Sequence, residues 1–111
     1  MASEVANIVA QGSLPFTQNL SSTDVLDVTE TGLYRLSLYV EQSSLNVIAR
    51  GAWTDGSGAQ ALNLNQMNEG TYTTGEFVLR CISGTSINLS TINGHPTGTG
   101  TVHFVVESLG S

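Results

Sequence analysis

Residues 33–41 read Leu-Tyr-Arg-Leu-Ser-Leu-Tyr-Val-Glu and alternate in character with a period of two. Tyr34, Leu36, Leu38 and Val40 make one almost wholly apolar face. Leu33, Arg35, Ser37, Tyr39 and Glu41 make a mixed face with one arginine near its middle. Alternation of this kind is the signature of a strand with one side in a core. The second face is neither plain solvent surface nor plain core, so it is the first place to look for biology. An acid-capped turn, Glu30-Thr31-Gly32, leads directly into it.

The rest of the chain repeats strand, turn, strand. Strands are expected at Val5–Gln11, Pro15–Asn19, Thr23–Val28, Leu33–Glu41, Leu45–Thr54, Ala59–Leu64, Gly75–Ile82, Ser86–Thr91 and Thr101–Leu109. Turn signals separate them: Thr31-Gly32, Asp55-Gly56-Ser57-Gly58, Asn68-Glu69-Gly70, Ser83-Gly84, and Asn93 through Gly100. Single apolar faces recur in Leu45/Val47/Ala49/Trp53, in Phe77/Leu79/Cys81 and in Val102/Phe104/Val106. Ala59–Met67 has fair helix propensity, but the Leu62/Leu64 alternation and the intervening asparagines favour a strand. Eight or nine short antiparallel strands without a linker or an internal repeat predict an all-β sandwich or barrel. Pro15 suits an edge strand, where its missing N–H costs no ladder bond.

At 111 residues the chain is expected to be a single domain, residues 1–111, with one thin core. Self-association is a natural supplement to a core of that size. Arg35, Arg50 and Arg80 are the only basic side chains besides two histidines, and nine carboxylates bring the formal charge to −6. That balance argues against nucleic acid or an anionic membrane surface as partner, since both reward a basic field. The polar surface rests instead on 13 Ser and 13 Thr together with Asn and Gln. Met1–Val9 lacks the basic and apolar regions of a secretory signal, and no apolar run reaches transmembrane length. Cys81, alternating with Phe77 and Leu79, reads as a buried, inert thiol.

The arginines lie inside strands, where they are solvated, paired with Glu41, Glu76 or Glu107 across strands or subunits, or free to bind a sugar carboxylate or phosphate. Trp53, just before the Asp55-Gly56 turn, packs in the core, offers a platform on which a sugar ring stacks, or meets another subunit; Tyr34, Tyr39 and Tyr72 pose the same choice, with packing or an interface ahead of a ligand contact. His95 and His103 carry no zinc spacing, and Asp24, Asp27 and Asp55 do not follow a calcium-loop pattern. No phosphate loop, dinucleotide fingerprint or nucleophile elbow is present, so neither catalysis nor a cofactor is expected.

The segment Thr29–Val40 resembles the Gly-hydrophobic-Tyr strand of the compact jelly rolls of the tumour necrosis factor and complement globular-head type, and Thr101–Gly110 is similar to their closing strand. The order of elements, with the Ala52–Gln60 turn, resembles jelly-roll modules of bacteriophage and prophage structural proteins. The resemblance implies a homotrimer with Tyr34, Arg35, Tyr39 and Glu41 at the protomer contact. It also implies a place in a virion assembled in the host cytoplasm, as capsid decoration or fibre tip, beside other virion proteins. The alternative expectation is a carbohydrate-binding module or lectin, with Trp53, Asp55 and Tyr72 facing a cell-surface glycan.

Overall fold

The computed structural model describes residues 7–42, 47–64, 72–94 and 96–110. Eight strands follow one another: β1 (Asn7–Thr17), β2 (Thr23–Asp27), β3 (Gly32–Gln42), β4 (Ile48–Asp55), β5 (Gly58–Asn63), β6 (Tyr72–Cys81), β7 (Ser86–Ile92) and β8 (Thr99–Gly110). They form two four-stranded antiparallel sheets in the orders β1-β8-β3-β6 and β2-β7-β4-β5. Every connection but one passes between the sheets, and the exception is the β4–β5 hairpin. The fold is a jelly-roll-like β-sandwich.

Alternation places the core as the sequence predicts. Tyr34, Leu36, Leu38 and Val40 of β3, together with Val102, Phe104 and Val106 of β8, face Val47, Ala49, Ile87 and Leu89 of the other sheet, and all are buried. Pro15 lies on β1, an edge strand paired only with β8. The strand expected at Ala59–Leu64 is present as β5, Gly58–Asn63. The expected turn at Asn68–Gly70, the expected strand starts at Val5 and Leu45, and His95 fall outside the described residues.

One expectation is corrected. Val5–Gln11 and Pro15–Asn19 are not two strands, because β1 runs unbroken through Gly12 to Thr17. A side chain at Gly12 would sit 3.2 Å from the Phe104 ring, so this glycine makes room for a core aromatic instead of turning the chain.

Cys81 is buried as expected. Burial, reinforced by the Asp55 carboxylate, pushes its thiol from 9.0 up to about 11. Tyr34 is also raised, chiefly by burial. Because the unfolded thiol ionises first, the folded state holds a preference of roughly 2–3 kcal/mol for the neutral form. That contribution is complete below pH 9.0 and fades as pH climbs through about 11. The expected result is an alkaline fall in melting temperature that Cys81→Ala flattens, and a thiol that reacts with a disulfide reagent only upon unfolding.

Candidate functional site

The outer face of the β1-β8-β3-β6 sheet can be mapped from its registers. One row runs Ser13, His103, Tyr39, Thr74, and the next runs Gln11, Val105, Ser37, Glu76. A flanking row brings Pro15, Thr101, Glu41 and Tyr72 together, and on the other side Arg35 stands between Glu107 and Val78. Residues from four distant parts of the chain thus share one surface.

Two aromatic rings dominate it. Tyr39 and Tyr72 stack with ring centroids 5.4 Å apart and planes within 4° of parallel. Both stay substantially exposed, at 42% and 58%. They are diagonal neighbours on β3 and β6, within the reach of aromatic side chains across a strand pair. His103 tilts against the other side of Tyr39 at 6.0 Å. Beside these rings lies an open depression of about 500 Å³ whose polar lining comes from Gln11, Ser13, Ser37, Tyr39, Thr74 and His103, the remainder of the lining being apolar.

Polar contacts hold the surface in place. His103 Nδ1 lies 2.7 Å from Ser13 Oγ, and His103 Nε2 lies 3.2 Å from Glu41 Oε2. The carboxylate only accepts, so Nε2–H donates to it, and in the neutral ring Nδ1 accepts from the serine hydroxyl. Serine, imidazole and carboxylate in a line resemble a nucleophilic array. Here all three stand mid-strand or at a strand end on one sheet, where backbone N–H groups lie in the sheet plane. An oxyanion hole for acyl transfer needs donors aimed above the hydroxyl, which the in-plane N–H groups of these strands do not supply. The array acts as a clamp that orients His103 against Tyr39.

Arg35 donates from Nη1 to Glu107 Oε1 at 3.2 Å, directly opposite on β8. This is the cross-strand pairing anticipated for an arginine, and its partial exposure limits it to at most about 1 kcal/mol. Ser37 Oγ donates to Glu76 Oε2 at a long 3.4 Å.

The residues expected from sequence divide differently. Arg35, Tyr39 and Glu41 share this face with Tyr72. Tyr34 does not: it is 5% exposed between the sheets, its hydroxyl donating to the Glu30 carbonyl at 2.5 Å, so it has no surface to offer a partner subunit. Trp53 and Asp55 lie on β4 in the opposite sheet, away from Tyr72. Trp53 packs against the core, and Asp55 Oδ1 accepts from Ser57 N at 2.7 Å, fastening the hairpin turn. The three expected ligand residues therefore do not form one surface. Gln11, Ser13, Thr74 and His103 were not anticipated. His103 alternates with Val102 and Phe104, which signals the outer face, but the residues it meets there are set by strand order.

No family model and no curated protein matches the chain by sequence. Solved structures match its fold. The CBM22-1 xylan-binding domain of Paenibacillus barcinonensis Xyn10C aligns with a TM-score of 0.56 and 17% identity, covering 96% of this chain and 82% of that one. TmCBM61, solved in complex with beta-1,4-galactotriose, aligns at 0.55 and 15% identity over 86% of this chain and 68% of its own. A pentameric capsid protein from metagenomic phage sequences aligns at 0.57 and 11% identity over 97% and 66%. The chain spans 61% of a fourth, the BiXyn10A CBM1 structure. At these identities the likeness is one of fold, and the fold is shared by carbohydrate-binding modules and by phage structural proteins alike.

Proposed function

We propose that this chain is a non-catalytic carbohydrate-binding module that holds a glycan against the outer face of the β1-β8-β3-β6 sheet. The observation that carries this reading is the exposed Tyr39/Tyr72 stack at the rim of the depression lined by Gln11, Ser13, Ser37 and Thr74. A pyranose ring presents C–H faces that pack on an aromatic ring and hydroxyls that exchange hydrogen bonds with amide and hydroxyl side chains. The face also carries Glu41, Glu76 and Glu107 against Arg35 and Arg80, on a chain of net charge −6. That field favours a neutral polysaccharide over an anionic one. The likeness to modules whose descriptions name xylan and galactotriose supports the class of ligand.

Affinity electrophoresis through a panel of neutral and acidic polysaccharides tests the reading. Retardation is expected with a neutral polymer, and Tyr72→Ala should weaken binding about tenfold, equivalent to about 1.4 kcal/mol. Trp53→Phe should leave binding unchanged. Failure to bind any polysaccharide, or binding indifferent to Tyr72→Ala, defeats it.

A second reading is a virion structural module, supported by the likeness to the phage capsid protein. In it the same face, with Arg35, Tyr39 and Glu41, closes a homotrimer on a capsid or fibre. A trimer in solution that Tyr39→Glu dissociates would favour this reading over glycan capture.

A further inference from the structure

A sandwich of two open sheets has four edges, and three of these are blunted. β1 carries Pro15 and a register break between Ile8 and Ala10. β2 has five residues, a break between Asp24 and Leu26, and two like charges, Asp24 and Asp27. β5 is six residues long. Short strands, bulges, proline and repelling charges are the usual protections of an edge. β6 has none of them. It pairs with β3 over ten residues without a register break, contains no proline, and among the described residues has no second hydrogen-bonded neighbour in its sheet.

The outer face of β6 is self-complementary. Glu76, Val78 and Arg80 alternate along it, all exposed, with Val78 at 58%. Arg80 has no ion-pair partner among the described residues, and Glu76 has only the long bond from Ser37. A two-fold axis at Val78 lays the strand antiparallel to its own copy. Val78 then faces Val78 of the partner subunit, and Glu76 faces Arg80 of the partner subunit twice over. On the inner face Phe77, half-buried in one copy, meets Leu79 of the partner subunit. An edge with one sign of charge repels its copy, whereas this order of charges attracts it in one register only.

We propose that the chain forms a two-fold homodimer by antiparallel pairing of β6 over Gly75–Cys81, joining two four-stranded sheets into one of eight strands. The pairing satisfies the outward backbone groups of both edges and sets opposite charges across the new ladder. It does not depend on what the outer face binds, although it would place both Tyr39/Tyr72 stacks on the same side of one continuous sheet.

Sedimentation equilibrium over a concentration series tests the proposal. The parent chain is expected to be dimeric. Glu76→Arg and Arg80→Glu each set like charges opposite one another twice, so each alone should weaken the dimer about tenfold or more. Mixed in equal amounts, the two variants restore both opposite-charge pairs and should form a heterodimer, which also shows that neither has misfolded. A parent chain that stays monomeric, or one that is trimeric, overturns the proposal. So does a dimer that ignores both single reversals, or variants that remain apart when mixed while their circular dichroism matches the parent.

Discussion

Leu36→Ala is expected to lower the unfolding free energy by about 3–5 kcal/mol, measured by urea denaturation. Leu36 is 1% exposed at the centre of β3, which is itself flanked by β8 and β6. It reaches across the sandwich to Gly51 of β4, where an added Cβ would lie 3.0 Å from Leu36 Cδ2. The leucine therefore fills space that the facing strand leaves empty, and Gly51 has no side chain with which to close the resulting cavity. The same geometry makes Gly51→Ala costly alone, by about 1–3 kcal/mol of overpacking. Combined, the substitutions relieve one another: the alanine at position 51 grows into the space vacated at 36. The double variant should be more stable than the sum of the single effects predicts, by about 1 kcal/mol or more. Strict additivity would mean that the two side chains do not share that space.

The second large effect is expected at Gly94, on the loop after β7. A side chain there would overlap the backbone carbonyl of Gln18 and come within 2.9 Å of Asn19 Oδ1. Neither neighbour can yield cheaply. Gln18 is held with φ at 65° and donates its N–H to the Gly98 carbonyl at 2.8 Å. Asn19 Oδ1 accepts from Gly94 N at 2.9 Å, and Leu20 N donates to the buried Thr91 Oγ1 at 2.7 Å. Thr91 N returns a bond to the Leu20 carbonyl at 3.0 Å. Gly94→Ala must displace this corner, adding overpacking to lost buried hydrogen bonds, in all about 3–5 kcal/mol. A melting temperature lower by on the order of 10–20 °C should follow, with faster amide exchange at Leu20 and Thr91. Gly56→Ala is the control: nothing lies within 4 Å of its added Cβ, so a change within about 0.5 kcal/mol is expected.

The strands and their inward faces were legible because burial on one side writes itself into a period of two. β3, β4 and β8 show it directly. What alternation cannot supply is the neighbour. Ser13 meets His103, and Arg35 meets Glu107, because β8 inserts between β1 and β3, and no local pattern encodes that insertion. Tyr72 and Trp53 posed the same choice between packing and a ligand surface, yet strand order sends them to different sheets. Tyr34 and Tyr39 differ only in parity along β3, and parity alone makes the first a core residue and the second a surface one. Val5–Gln11 and Pro15–Asn19 were read as separate strands because the ring that Gly12 accommodates, Phe104, comes from the other end of the chain.

The position of β8 has a consequence for the order in which the molecule can fold. Among the described residues β1 has no hydrogen-bonded neighbour except β8, and β3 needs β8 on one of its two sides. Until Thr99–Gly110 has been synthesised, the β1-β8-β3-β6 sheet lacks the strand that joins β1 to β3 and β6. Closing that sheet therefore waits on pairing between strands far apart in sequence, β1 with β8 and β3 with β8, which carries a loop-closure cost. Assembly of this sheet depends on β8, and until β8 pairs the apolar face of β3 stays open to non-native association.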